Sequence, residues 1–162
     1  MIRPRLAALV FLGLGAAAVT LTACSSTVSL QPAKDANDPA CAEVMTAAGF
    51  PGSIDGNERR WTDAQATAAW VDDAGRVTVV MSCGIEVPGP STLPCQTAGG
   101  VDWLIDDSEA PNYRFTTFGR DPAVEVYLDS DVVSGRAALD ALGPAVQQLP
   151  ATGAVCTERS TS

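Results

Sequence analysis

The chain is 162 residues long, 46% hydrophobic and 18% charged, with 10 basic and 19 acidic residues and no histidine. So acidic a surface repels phosphate backbones and makes nucleic acid a poor partner. The missing histidine removes the usual base of Ser and Cys triads, the HExxH zinc site and the cysteine-histidine pair of wall transpeptidases, and the sole lysine, Lys34, stands in a segment too polar to hold a Ser-Lys dyad in place.

The N-terminus reads as a secretion signal. Arg3 and Arg5 form a positive n-region, and Leu6 to Val19 form an uncharged apolar stretch. Leu21-Thr22-Ala23-Cys24 is a lipobox: small residues precede a Cys whose thiol accepts the diacylglyceryl group. A retained membrane anchor is the rival, since the uncharged run from Leu6 to Ala23 counts 18 residues, at the short end for a span. Either reading places the rest of the chain on the extracytoplasmic face of a cell membrane, and acyl chains at Cys24 anchor it with roughly 0.8 kcal/mol per buried CH₂. Cleavage after residue 23 leaves 139 residues, enough for one domain, with 8 basic and 19 acidic side chains and a formal balance of −11. The expected organisation is a signal over 1–23, a flexible tether over 24–37, one globular domain over 38–158 and a tail over 159–162.

Ser25 to Asn37 is small and polar without apolar periodicity. Asp38 is suited to N-cap a helix with Pro39 at its first position, and Cys41, Val44, Met45 and Ala48 share one face. Gly49 and Pro51 end it. Thr62 to Trp70 reads as a short helix on the Thr62/Gln65 capping box, with a strand as the competing reading. Arg76 to Cys83 alternates as a strand, and Gly84 to Gly100 reads as a long loop with three prolines. Val101 to Ile105, Tyr113 to Phe118 and Pro122 to Leu128 read as strands, with Asp106 to Glu109 an acidic turn. Ser134 to Leu149 reads as the last helix, with Leu139, Leu142, Val146 and Leu149 on one face. The expected fold is therefore α+β: an antiparallel sheet of about four strands with N- and C-terminal helices packed on one face, braced by disulfides.

Five cysteines become four once Cys24 carries lipid. Cys41, Cys83, Cys95 and Cys156 then allow three pairings in an oxidising compartment. The preferred pairs are Cys83 with Cys95, closing the Pro-rich loop, and Cys41 with Cys156, tying the domain's ends. A four-thiolate metal site is disfavoured by the lack of a close Cys-x-x-Cys pair.

Arg59-Arg60-Trp61, Ala69-Trp70, Ser82-Cys83-Gly84-Ile85, Gly100-Val101-Asp102-Trp103 and Gly119-Arg120-Asp121-Pro122-Ala123-Val124-Glu125-Val126 occur together and in order. On these motifs the chain resembles an uncharacterised actinobacterial family of secreted lipoproteins and membrane-anchored proteins that share a domain of unknown function, from about Cys41 to Cys156. Members of that family usually have Trp-Gly where this chain has Trp70-Val71. The resemblance implies an envelope location and a link to cell-wall precursor metabolism, and it carries no activity and no catalytic residues.

The candidate binding residues are Arg59, Arg60, Trp61, Asp102 and Arg120. Two guanidinium groups beside an aromatic ring form a plausible patch for a carboxylate or phosphate; the plainer reading is surface charge around a core Trp61. Asp102 alternates with a core Trp103 and is free to pair with Arg120 or Arg59. Arg120 sits at a turn. The run Asp106, Asp107 and Glu109 with Asp102 lacks the EF-hand pattern, so no metal is expected, and no cofactor is implied. Tyr127 and Glu125 share the strand face opposite Val124 and Val126, an open side fit for a partner. These readings converge on a non-catalytic, lipid-anchored module that binds an envelope protein or cell-wall component. The alternatives are a wall-glycan hydrolase using an Asp/Glu pair and a lipoprotein that binds a small ligand in a Trp-lined pocket.

Overall fold

A computed structural model describes residues 27–157; the expected signal, the expected lipobox with Cys24, and residues 158–162 lie outside the described residues. The first helix, α1 (Pro39–Thr46), starts where the sequence places it: the Asp38 carboxylate accepts the Ala40 N–H at 2.8 Å, and Pro39 occupies the first turn. The remaining elements are β1 (Ser53–Ile54), β2 (Asn57–Arg60), β3 (Thr67–Val71), β4 (Val77–Ile85), β5 (Cys95–Ala98), β6 (Val101–Glu109), β7 (Asn112–Phe118), β8 (Ala123–Asp129) and α2 (Gly135–Val146). The Ser134 hydroxyl caps α2 by accepting the Ala137 N–H.

All eight strands form one antiparallel sheet in the order β1-β2-β3-β4-β8-β7-β6-β5. Two meanders of consecutive strands are thus joined at the centre by β4 against β8. This corrects the expected four-strand α+β arrangement: the chain is mostly one eight-stranded sheet with two short helices. The strands that pattern missed lack alternation. Strand β2 is Asn-Glu-Arg-Arg, β5 lies in the Pro-rich stretch read as a loop, and the acidic run expected to turn at Asp106 to Glu109 continues β6. Strand β3 carries the Ala-rich segment read as a helix. All five of its residues are buried between β2 and β4, and that burial outweighs the helix propensity of alanine.

Alternation sorts the sheet into two faces. Trp70, Val79, Met81, Trp103, Phe115, Val124, Val126 and Leu128 point one way and meet Cys41 and Val44 of α1 and Leu139, Leu142 and Val146 of α2 in a single core. The other face carries no helix. Across it, cross-strand register aligns Arg60, Ala69, Val80, Tyr127, Arg114 and Asp106 in one row, and Thr67, Ser82, Glu125, Thr116, Leu104 and Cys95 in the next.

The four cysteines pair, but otherwise than expected: Cys41 with Cys83, and Cys95 with Cys156. Cys83 lies on central β4 facing the core, whereas Cys95 lies on edge strand β5, four strand spacings away, or about 19 Å at ~4.8 Å each. A bridge needs Cα atoms roughly 4.4–6.8 Å apart, so Cys83 and Cys95 cannot meet. The observed bridges have Cα separations of 5.6 and 5.5 Å. Cys41–Cys83 fastens α1 to the centre of the sheet, and Cys95–Cys156 fastens the C-terminal segment to the open face.

The segment expected to be a free tether is bound along most of its described length. Val28 bridges Thr62, its N–H donating to the Trp61 carbonyl at 2.8 Å, and the Asp35 N–H donates to the Gly84 carbonyl at 2.9 Å. Ala36 is buried.

Candidate functional site

The five residues singled out by sequence do not form one site. Arg59 and Arg60 are neighbours on a strand and point to opposite faces. The Arg59 guanidinium lies 4.5 Å from the centroid of Phe50 on the helix side, and burial lowers its pKa from the usual value. Arg60 is exposed on the open face, opposite Ala69. Trp61 is not a core residue: it is 78% exposed, whereas Trp70 and Trp103 are fully buried.

Asp102 and Arg120 hold the C-terminal segment instead of each other. The Asp102 carboxylate accepts the Thr97 hydroxyl at 2.6 Å and the Cys156 N–H at 2.7 Å. The Arg120 guanidinium donates to the carbonyl of Leu149 at 2.8 Å and of Gln147 at 3.3 Å, fixing the segment that leaves the end of α2. The expected ion pair of Asp102 with Arg120 or Arg59 is replaced by these bonds.

A different cluster occupies the open face. Arg114 of β7 stands in register between Tyr127 of β8 and Asp106 of β6. Its guanidinium donates to Glu125 at 2.9 Å and to Glu109 at 3.3 Å, and lies 5.0 Å from the Tyr127 ring centroid. The Tyr127 hydroxyl donates to the other oxygen of Glu109 at 3.1 Å. A register shift between Asp106 and Glu109 turns the end of β6 so that Glu109 reaches this group, a usual effect of a bulge.

The electrostatics follow the contacts. Partial burial pulls the Arg114 guanidinium down and Glu125 and Glu109 outweigh it, so its pKa is raised. Burial and the hydrogen bond to Glu109 raise the Tyr127 phenol. Hydrogen bonds from Ser108 lower the Asp106 carboxyl. Together Asp106, Ser108, Glu109, Asn112, Arg114 and Tyr127 line a shallow, open depression that encloses no volume of the kind small-molecule pockets provide. The cluster presents fixed donors and acceptors on a nearly flat surface. No group of three or more acidic or cysteine side chains placed to hold a metal occurs among the described residues.

The sequence places Glu125 and Tyr127 on an open face and marks Asp106 to Glu109 as an acidic turn. Arg114 is not singled out by it; its signal is the alternation Tyr113-Arg114-Phe115, a cation on the polar face of an apolar strand. Which carboxylates it meets depends on strand register, which spacing along the chain does not reveal.

The fold and this face define a disulfide-braced domain built on one open-faced antiparallel sheet. The chain belongs to the family described as Protein of unknown function (DUF3515), whose model matches residues 5–154 and so takes in the N-terminal segment as well as the domain. No curated protein and no solved structure matches it. Two disulfides suit an oxidising, extracytoplasmic compartment, and among the described residues no helix is long and apolar enough to cross a membrane.

Proposed function

We propose that this chain is a lipid-anchored extracytoplasmic interaction module without catalytic activity, which offers the open face of its sheet to an envelope protein or cell-wall component. The observation that carries this reading is the Arg114 cluster: a half-exposed cation held by Glu125, Glu109 and Tyr127 on the one sheet face that no helix covers. A guanidinium fixed in this way is oriented before a partner arrives, which reduces the ordering cost of association. The depression around it is too shallow to enclose a metabolite and broad enough to meet a flat polar surface. Cys24 and the paired cysteines supply the address.

The test is photo-cross-linking in living cells from Thr116 on the open face, with Arg136 on the outer side of α2 as the comparison position. The expected outcome is a discrete adduct from position 116, lost with Arg114→Glu, and none from position 136. The hydrolase alternative gives the opposite result: purified mature domain would cleave peptidoglycan, and Glu109→Gln or Glu125→Gln would abolish the cleavage.

A further inference from the structure

We propose that the end of the sheet carrying Trp61 lies against the membrane, with the Trp61 indole in the lipid headgroup region. This deepens the reading above and rests on its lipid anchor at Cys24. Trp61 is the one tryptophan left exposed, at 78%, and its carbonyl accepts the Val28 N–H at 2.8 Å. Three residues lie between Cys24 and Val28, so the four Cα steps of connecting chain span at most about 14 Å at ~3.5 Å each. Acyl chains on Cys24 therefore bring Trp61 to the bilayer surface, where an amphipathic ring is favoured over either water or hydrocarbon.

The two ends of the sheet differ in charge. Strands β2, β4 and β7 finish, and β3, β6 and β8 begin, at the Trp61 end. That end is mixed, with Lys34, Arg60 and Arg120 beside Asp35, Asp63, Glu86, Asp102 and Asp121. The opposite end carries the turns with Asp72, Asp73, Asp107, Glu109, Asp129 and Asp131. Strand β6 is nine residues long, about 30 Å at ~3.3 Å per residue. The acidic turns thus stand several screening lengths from an anionic headgroup layer, the length being about 8 Å at physiological salt. The reverse orientation would press them against it. Membrane contact at the Trp61 end leaves the Arg114 face standing roughly upright and accessible from the side.

With Cys41, Cys83, Cys95 and Cys156 closed in disulfides, Cys24 is the thiol available for coupling. The experiment joins the mature chain through Cys24 to a maleimide lipid in phosphatidylcholine/phosphatidylglycerol vesicles that contain bromine-labelled acyl chains. Expected are a blue shift of tryptophan emission and its quenching by the brominated chains, both lost in Trp61→Phe because Trp70 and Trp103 are shielded. Emission that stays unshifted, unquenched by bromine and open to iodide from the water overturns the proposal. Mass analysis of the Cys24 peptide from membranes of producing cells tests the anchor separately: an unmodified thiol there overturns the anchoring and leaves the vesicle result standing on its own.

Discussion

Gly84 and Asp35 meet backbone to backbone. The Asp35 N–H donates to the Gly84 carbonyl at 2.9 Å, and a Cβ on Gly84, at φ +93°, would collide with the Asp35 carbonyl group. Glycine is required on both counts. Gly84→Ala is expected to cost roughly 1–3 kcal/mol from backbone strain, with the collision adding to it, read as a lower urea midpoint. Because Lys34 immediately precedes the contact, trypsin should also cut after it faster. A variant with the wild-type midpoint and cleavage rate would remove the claim that this contact holds the N-terminal segment.

The two disulfides differ in access. Cys41 and Cys83 are fully buried, whereas Cys95 and Cys156 are partly exposed. Thiol exchange needs approach of the attacking thiolate, so mild reduction should open Cys95–Cys156 first, as followed by alkylation and mass spectrometry. The bridges span 42 and 61 residues, for which the loop-entropy model gives about 4 kcal/mol each. Replacing Cys41 and Cys83 together by Ala should cost more than replacing the other pair, since it also empties core volume. Equal reduction rates would contradict the difference in access.

The Arg114–Glu125 pair is only partly shielded, with side chains 37% and 24% exposed. A double-mutant cycle on the two should give a coupling of roughly 0.5–1 kcal/mol, the upper range for surface pairs. Arg114→Ala should leave the fold intact while abolishing the cross-link from position 116. Loss of folding on that substitution alone would make the cluster a structural element.

Asp63 links the N-terminal segment to pH. Its carboxylate accepts the Leu30 N–H at 2.9 Å and the Ser29 hydroxyl at 2.7 Å, and these bonds, the Leu30 one first, lower its pKa. A lowered folded value means that the contribution is fully present above the unfolded value of about 3.9 and fades as pH falls through the folded one. Protection of the Leu30 amide from hydrogen exchange, corrected for intrinsic rate, should hold at neutral pH and fall in acid below about pH 4. Asp63→Ala should flatten that profile. Identical profiles in the two proteins would discard the link.

Local signals were legible where one residue decides the local structure. Asp38-Pro39 marked the start of α1, Ser134 the start of α2, and the alternation of Val77 to Cys83 and of Val124 to Leu128 marked the two strands that join the meanders. Strands whose stability comes from their neighbours were not legible. Thr67–Val71 reads as helix by its alanines and becomes strand because β2 and β4 bury it on both sides. Cys95–Ala98 has no pattern of its own and is an edge strand because β6 offers it hydrogen bonds.

The sequence by itself determined the acidic charge, the missing histidine, the Leu-Thr-Ala-Cys motif ending at Cys24 and the presence of four further cysteines, because these are properties of composition and of short contiguous motifs. Only the tertiary structure decided which cysteines pair and which carboxylates Arg114 meets. Both depend on strand order and register, set by long-range hydrogen bonding that brings Cys41 to Cys83 and carries Cys95 to the far edge of the sheet. The exposure of Trp61 belongs to the same class: its ring projects from the domain just past the end of β2, at the point where the N-terminal segment joins the sheet.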